Sequence, residues 1–296
     1  MCRALALVTA LALLTVACSR PTAPNSSEAE PATGPTADAA EEDLRVSTSG
    51  WSTDFSRHDV PLEEIISGGP GKDGIPAIDG PKFEAVAAVG WLEPQEPVIA
   101  FGIGDDWRAY PIQILVWHEI VNDTVADVPV TITFCPLCHT AIAFHRRVGD
   151  RVLDFGTTGN LRHSDLVMYD RQTESWWQQA TGHAIVGELA GTQLEFLPSQ
   201  LISWDAFRVA HPQGRVLSRD TGHIRDYGSN PYAGYDEADS DPFLLEDKTL
   251  IDGRLSPKVR ILGLIIDDEP VAYPFPLLVE HPVVNDEVGR KPIVVI

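Results

Sequence analysis

One segment of this chain is written twice, and that constrains the fold more than any other feature. Tyr110-Pro-Ile-Gln-Ile-Leu-Val-Trp-His118-Glu-Ile-Val-Asn-Asp123 recurs as Tyr273-Pro-Phe-Pro-Leu-Leu-Val-Glu-His281-Pro-Val-Val-Asn-Asp286, an offset of 163 residues. The match runs on through Val125 and Val288, Pro129 and Pro292, and Val130 and Ile293, and Gly102 to Asp106 loosely parallels Gly263 to Asp268. Such self-similarity marks one supersecondary unit used more than once, so both copies should adopt the same local structure. The second copy reaches Ile296 just where the first reaches its cysteines. Either the chain is a fragment, or the second copy is a structural half that never carried the site.

Within the unit, Val98 to Ile103 and Trp107 to Tyr110 read as short strands. Pro111 opens a helix in which Ile112, Leu115, Val116 and Ile120 are spaced for one buried face, ended by Asn122-Asp123. Pro129 to Phe134 alternates as a strand and delivers Cys135 at its end. Thr140 to Val148 and Arg151 to Phe155 flank Gly149-Asp150, a hairpin signal, and further strands are expected at Asp165 to Tyr169, Trp176 to Gln179 and Ala184 to Val186. The fold class is therefore α+β: mainly antiparallel β with one helix per repeat, internally duplicated, the second copy partial. The expected divisions are a signal peptide over 1–17, a tether over 18–47, a first repeat unit over 48–235 and a partial second repeat over 236–296. Tyr227 to Tyr235 (YGSNPYAGY) reads as a strap linking the copies in preference to a binding loop.

The N-terminus adds an address. Arg3 precedes an apolar run, Ala4 to Val16, broken only by Thr9 and Thr15. That is shorter than the roughly 20 residues a membrane-spanning helix needs, and it fits a secretion signal. Ala17-Cys18 resembles the junction at which bacterial signal peptidase cleaves before a lipidated cysteine, although Thr15 stands where that motif usually has Leu. The segment that follows is rich in Pro, Ala, Ser, Thr and Glu and cannot bury enough surface to offset its ordering entropy. An exported protein held at a membrane through lipidated Cys18 is expected, on the outer side of the cytoplasmic membrane or in the outer membrane. A formal net charge of −21 argues against nucleic acid as a partner, which needs a basic footprint. Protein partners are not readable.

Cysteine usage then narrows the chemistry. Cys2 lies in the signal and Cys18 would carry lipid, which leaves Cys135 and Cys138 for the folded part, so a structural disulfide framework is excluded. Cys135-Pro-Leu-Cys138-His139 admits three chemistries. It matches the attachment signature of c-type haem, with His139 as proximal and Met168 as distal ligand, but such motifs sit on helices and this one lies between a strand and a hairpin; haem is disfavoured. A thioredoxin-like dithiol, with Cys135 as attacking thiolate, needs a following helix that the hairpin signal denies. A metal site for copper or zinc is the third, with Cys135, Cys138, His118 and His139 as candidate ligands. His118 lies on the helix before the cysteine-bearing strand; His281 repeats it without cysteines, which favours a partly structural role.

Beyond the hairpin, Asp170, Trp177, Gln179 and His183 are candidates for a pocket near the cysteines, weighed against ordinary core. Trp176 and Trp177 are adjacent, so in a strand one points inward and the other outward. Asp170 and Arg171 could pair, with Glu174 close. No phosphate-binding glycine loop, Gly-x-Ser-x-Gly elbow or His-Glu-x-x-His helix is present.

Tyr110-Pro with His118-Glu-Ile-Val-Asn-Asp123, Thr133-Phe-Cys-Pro-Leu-Cys138, and Ser164-Asp-Leu-Val-Met-Tyr-Asp170 through Trp176-Trp-Gln-Gln179 and Thr181-Gly182 resemble the proteins grouped as domain of unknown function 3179, from about Gly68 onward. The resemblance implies little about activity. It does imply that the residue after the second cysteine is often not histidine, which weakens haem. It also implies that Cys135 is the more dependable of the pair, a thiolate ligand or nucleophile before it is half of an obligatory disulfide. The expectation is thus a Cys/His metal-binding lipoprotein. Its rivals are a thiol-disulfide oxidoreductase using Cys135 and Cys138, and a cell-envelope interaction module with an inert disulfide.

Overall fold

In the computed structural model, which describes residues 44–235, 237–243 and 253–296, three five-stranded sheets stack as layers. The signal segment, Cys2, Cys18 and most of the tether lie outside the described residues. The middle layer sets the pattern. Along Val128–Cys135, Val130, Ile132 and Phe134 pack into one core while Cys135, on the opposite face, packs into another. The strand is buried on both faces: Thr131 and Thr133, which alternate with Val130, Ile132 and Phe134, are buried as well. Its sheet runs Phe196–Leu197, Thr140–His145, Val128–Cys135, Ile120–Val125 and Ile78–Asp79.

On one side lies the sheet built from Gln200–Ser203, Pro97–Ile103, Asp106–Pro111, Arg215–Leu217 and Phe83–Ala85, which contributes Ile99, Phe101 and Tyr110 to the shared core. On the other lies the sheet Ile65–Ser67, Phe155–Arg162, Asp165–Asp170, Trp176–Gln178 and His183–Val186. All neighbours are antiparallel except two parallel pairs, Ile78–Asp79 on Ile120–Val125 and Arg215–Leu217 on Asp106–Pro111. The fold is α+β and mainly β.

The helix in the repeat is shorter than its periodicity suggests. It spans Ile112–His118, buries Ile114, Leu115 and His118, and ends at Glu119, whose φ is 60°. Ile120 then starts a strand, and Asn122 and Asp123 lie within it instead of ending the helix. They are tolerated there because both side chains are paired. Asn122 donates to the Asp79 carboxylate and the Phe155 carbonyl, and Asp123 accepts from Arg108 and from the Tyr110 hydroxyl at 2.6 Å.

The second copy repeats the order of elements: a hairpin of Ile261–Ile266 and Glu269–Pro274, the helix Phe275–Glu280, then a hairpin of Val284–Val288 and Lys291–Val295. Even the turns correspond, since Ala126-Asp127 and Gly289-Arg290 both take the left-handed conformation at each residue. A further helix, Trp204–Ala210, was not drawn from periodicity; the Ser203 hydroxyl caps it by accepting from the Ala206 N–H. Among the described residues no helix is long and apolar enough to cross a membrane.

Candidate metal centre

The Cys-Pro-Leu-Cys-His segment is the turn of a hairpin. Cys135 pairs with Thr140 as the last rung between Val128–Cys135 and Thr140–His145, so Pro136 to His139 form the loop. His139 closes it at φ 56°. No helix follows, so neither sulfur sits at a helix N-terminus. Cys135 points into the core shared with Phe155, Met168 and Trp177 and is 1 % exposed, whereas Cys138 is exposed; both thiols are free.

The third member comes from the facing sheet. Asp165 opens the strand Asp165–Asp170, and its Oδ1 lies 3.2 Å from Cys138 Sγ. Its other oxygen is fixed by the Gln178 amide at 2.6 Å and the Ala180 N–H at 2.9 Å. The two sulfurs and a carboxylate oxygen lie within 4.8 Å of one another, a group that could hold a metal ion. A tetrahedral zinc holds its ligand atoms about 3.3–3.8 Å apart, so small side-chain adjustments suffice. Thr140 Oγ1 is 3.0 Å from Cys138 Sγ and donates to Gln179 at 2.6 Å, while the Gln179 amide donates to Thr133 at 2.8 Å. That chain of polar groups orients the exposed sulfur from behind.

Burial and mutual proximity both weigh against ionisation of the acidic groups at this site. Burial pushes the Cys135 thiol well up, and the neighbouring Cys138, Asp165 and Glu119 add to it. Burial likewise raises Asp165. Glu119 is pushed up to about 8, first by burial and then by Asp165, against a hydrogen bond from Tyr232. A cluster of buried acids is costly unless protonated or neutralised by a cation.

The structure places the other candidates as follows. His118 is outside the three-residue group. One ring nitrogen contacts the Pro76 carbonyl at 2.7 Å and the other the Tyr227 hydroxyl at 2.6 Å, so both are occupied in fixing the helix end. His139 lies edge-on to Phe134 and is outside the three-residue group. Trp177 does not face outward. It is fully buried with Cys135, and Trp176 is fully buried on the opposite face against Phe55, because residues ahead of Ile65 cover that side of the sheet. Asp170 accepts from the Trp177 indole and from Thr173, while Arg171 pairs with Asp79 and Glu174 with Lys72. His183 pairs with Asp59. Of the four pocket candidates, Gln179 reaches the site through Thr140, and Trp177 packs in the core cluster that holds Cys135.

Sequence reasoning missed Asp165 and Glu119, and read Tyr227 to Tyr235 as a strap in preference to a binding loop. Tyr227 to Tyr235 does more than join the copies: Tyr227 meets His118, Tyr232 donates to Glu119 at 3.3 Å, and Tyr235 donates to the Leu137 carbonyl at 3.1 Å. One signal was available, since the second copy keeps His281 but has Pro282 where the first has Glu119. Residues 72–296 match a family model described as a protein of unknown function, DUF3179. No curated protein matches the chain, and no solved structure does.

Proposed function

The chain belongs to the DUF3179 family, whose description assigns no activity, so function must be argued from the site: we propose an exported, Cys18-anchored lipoprotein that binds a transition-metal ion through Cys135, Cys138 and Asp165. The observation that carries this is the convergence of two sulfurs and one carboxylate oxygen within 4.8 Å, drawn from two different sheets. Two thiolates alone would suit Cu(I) or zinc; the carboxylate oxygen moves the preference to zinc. A divalent ion would also neutralise the buried acids that the protein otherwise holds at a cost. Against a thiol-disulfide oxidoreductase stands the environment of Cys135. An attacking thiolate needs a depressed pKa, and burial moves this thiol the other way. The apolar run ahead of Cys18 supports export and anchoring.

The test is elemental analysis of residues 19–296 expressed in the periplasm, beside a free-thiol count and a haem stain. About one equivalent of zinc is expected, lost in Cys135→Ser while the circular dichroism spectrum is kept. A metal-free protein, or one whose metal content survives Cys135→Ser, would overturn the proposal.

A further inference from the structure

In the first copy a short segment from outside the repeat lies along one edge of the strand Ile120–Val125. Ile78–Asp79 pairs with it in parallel, Ile78 opposite Val121 and Asp79 opposite Asn122. Two polar side chains of the repeat hold that segment. One ring nitrogen of His118 donates to the Pro76 carbonyl at 2.7 Å, and the Asn122 amide donates to the Asp79 carboxylate at 2.9 Å. Ile78 packs in one core cluster with Tyr110, Ile114, Leu115 and Val121 and is 1 % exposed.

The second copy keeps all of these groups. At the offset of 163 residues, Tyr110, Ile114, Leu115, His118, Val121 and Asn122 become Tyr273, Leu277, Leu278, His281, Val284 and Asn285. These six line a groove of about 440 Å³, within the size range of binding clefts. What differs is the covering. Among the described residues Val284–Val288 pairs with Lys291–Val295 alone, so the edge matching the one that takes Ile78–Asp79 is open. Leu277 is 53 % exposed, and His281 and Asn285 are exposed with no hydrogen bond from either side chain to a described residue. The contacts that give His118 a structural task are thus missing at His281, although the residue is repeated. An open strand edge flanked by apolar and hydrogen-bonding side chains is what strand addition needs.

We propose that this groove binds an extended segment of a partner protein, of the type Pro-small-aliphatic-Asp, as a parallel strand on the open edge of Val284–Val288. The occupant is read from the one segment that the fold itself places on this edge, Pro76-Ala77-Ile78-Asp79. His281 donates to the carbonyl of the proline, Asn285 donates to the aspartate side chain, and the aliphatic residue lies against Leu277, Leu278 and Val284. Main-chain hydrogen bonds to the edge supply affinity, and these side-chain contacts supply selectivity. The chain's own Pro76–Asp79 is already held in the first copy, so the segment comes from another protein.

Calorimetric titration of residues 19–296 with an acetylated, amidated peptide of residues 74–81 (GIPAIDGP) tests this. The peptide should bind with a dissociation constant below about 1 mM, and a peptide of the same composition in scrambled order should not bind. His281→Ala and Asn285→Ala, both at exposed positions, should each weaken binding at least about threefold while keeping the wild-type circular dichroism. Leu277→Asp, also at an exposed position, should abolish it. Absence of binding, equal binding of the scrambled peptide, or undiminished binding by the correctly folded variants would each sink the idea.

Discussion

At Glu119 the chain leaves its helix in a left-handed turn and buries a carboxyl that is 5 % exposed. Burial, helped by Asp165, moves its pKa from 4.5 to about 8. The native state therefore keeps a proton that the unfolded state releases above its ordinary carboxylate pKa, and metal-free stability must fall as pH rises through that window. His118 works the other way. Burial lowers it from 6.5 to about 4, so the native state binds less proton than the unfolded state and stability rises across that interval. The two trends oppose each other where their windows overlap, and above pH 6.5, as the histidine's contribution fades, the Glu119 trend prevails. Urea unfolding of chelated protein should lose about 1 kcal/mol between pH 6.5 and 8, and Glu119→Gln should flatten that loss. Equal slopes in the two proteins would show that Glu119 is not the group responsible. None of this was legible locally, because the neighbours that bury and perturb Glu119, Asp165 and Tyr232, are remote in sequence.

Among the elements, the strand Phe155–Arg162 that backs the site depends on an irregularity. Its register against Asp165–Asp170 shifts between Thr157 and Asn160, and Gly159 sits in the shift at φ 77°. A Cβ there would lie 1.9 Å from the Pro70 carbonyl oxygen, a backbone atom that cannot swing aside. Gly159→Ala combines a left-handed conformation with that clash and should cost about 2–4 kcal/mol in urea unfolding; a loss of under about 0.5 kcal/mol would mean the bulge yields freely. Regular elements were readable because their signal is local. Alternation along Pro129 to Phe134 and the Gly149-Asp150 turn both gave strands where strands are found. The helix end was misplaced because apolar spacing runs across Glu119 without a break, and only its backbone conformation stops the helix. One of Trp176 and Trp177 was expected to face outward and both are buried, because a two-faced strand and a one-faced strand differ in what covers them, which no single strand records.

Across the whole molecule the duplication keeps the backbone plan and changes its burial. Tyr110 donates to Asp123 as Tyr273 donates to Asp286. Asp106 accepts from the Ala126 N–H as Glu269 accepts from that of Gly289. In the first copy Arg108 joins the set, bonded to both Asp106 and Asp123, with Asp123 6 % exposed; in the second, Val271 stands in its place and Asp286 is exposed. A charge taken out of water is costly to strand once its partner goes, whereas an exposed one is solvated again at little cost. Asp123→Ala should therefore destabilise the protein by about 3 kcal/mol, even with Asp106 still holding Arg108, and lower the urea midpoint without changing the slope. Asp286→Ala, at the matching position, should leave the midpoint unchanged. Equal shifts in the two variants would mean that the second copy buries its tyrosine–aspartate pair as the first does, and that the two halves differ in cysteines and not in packing.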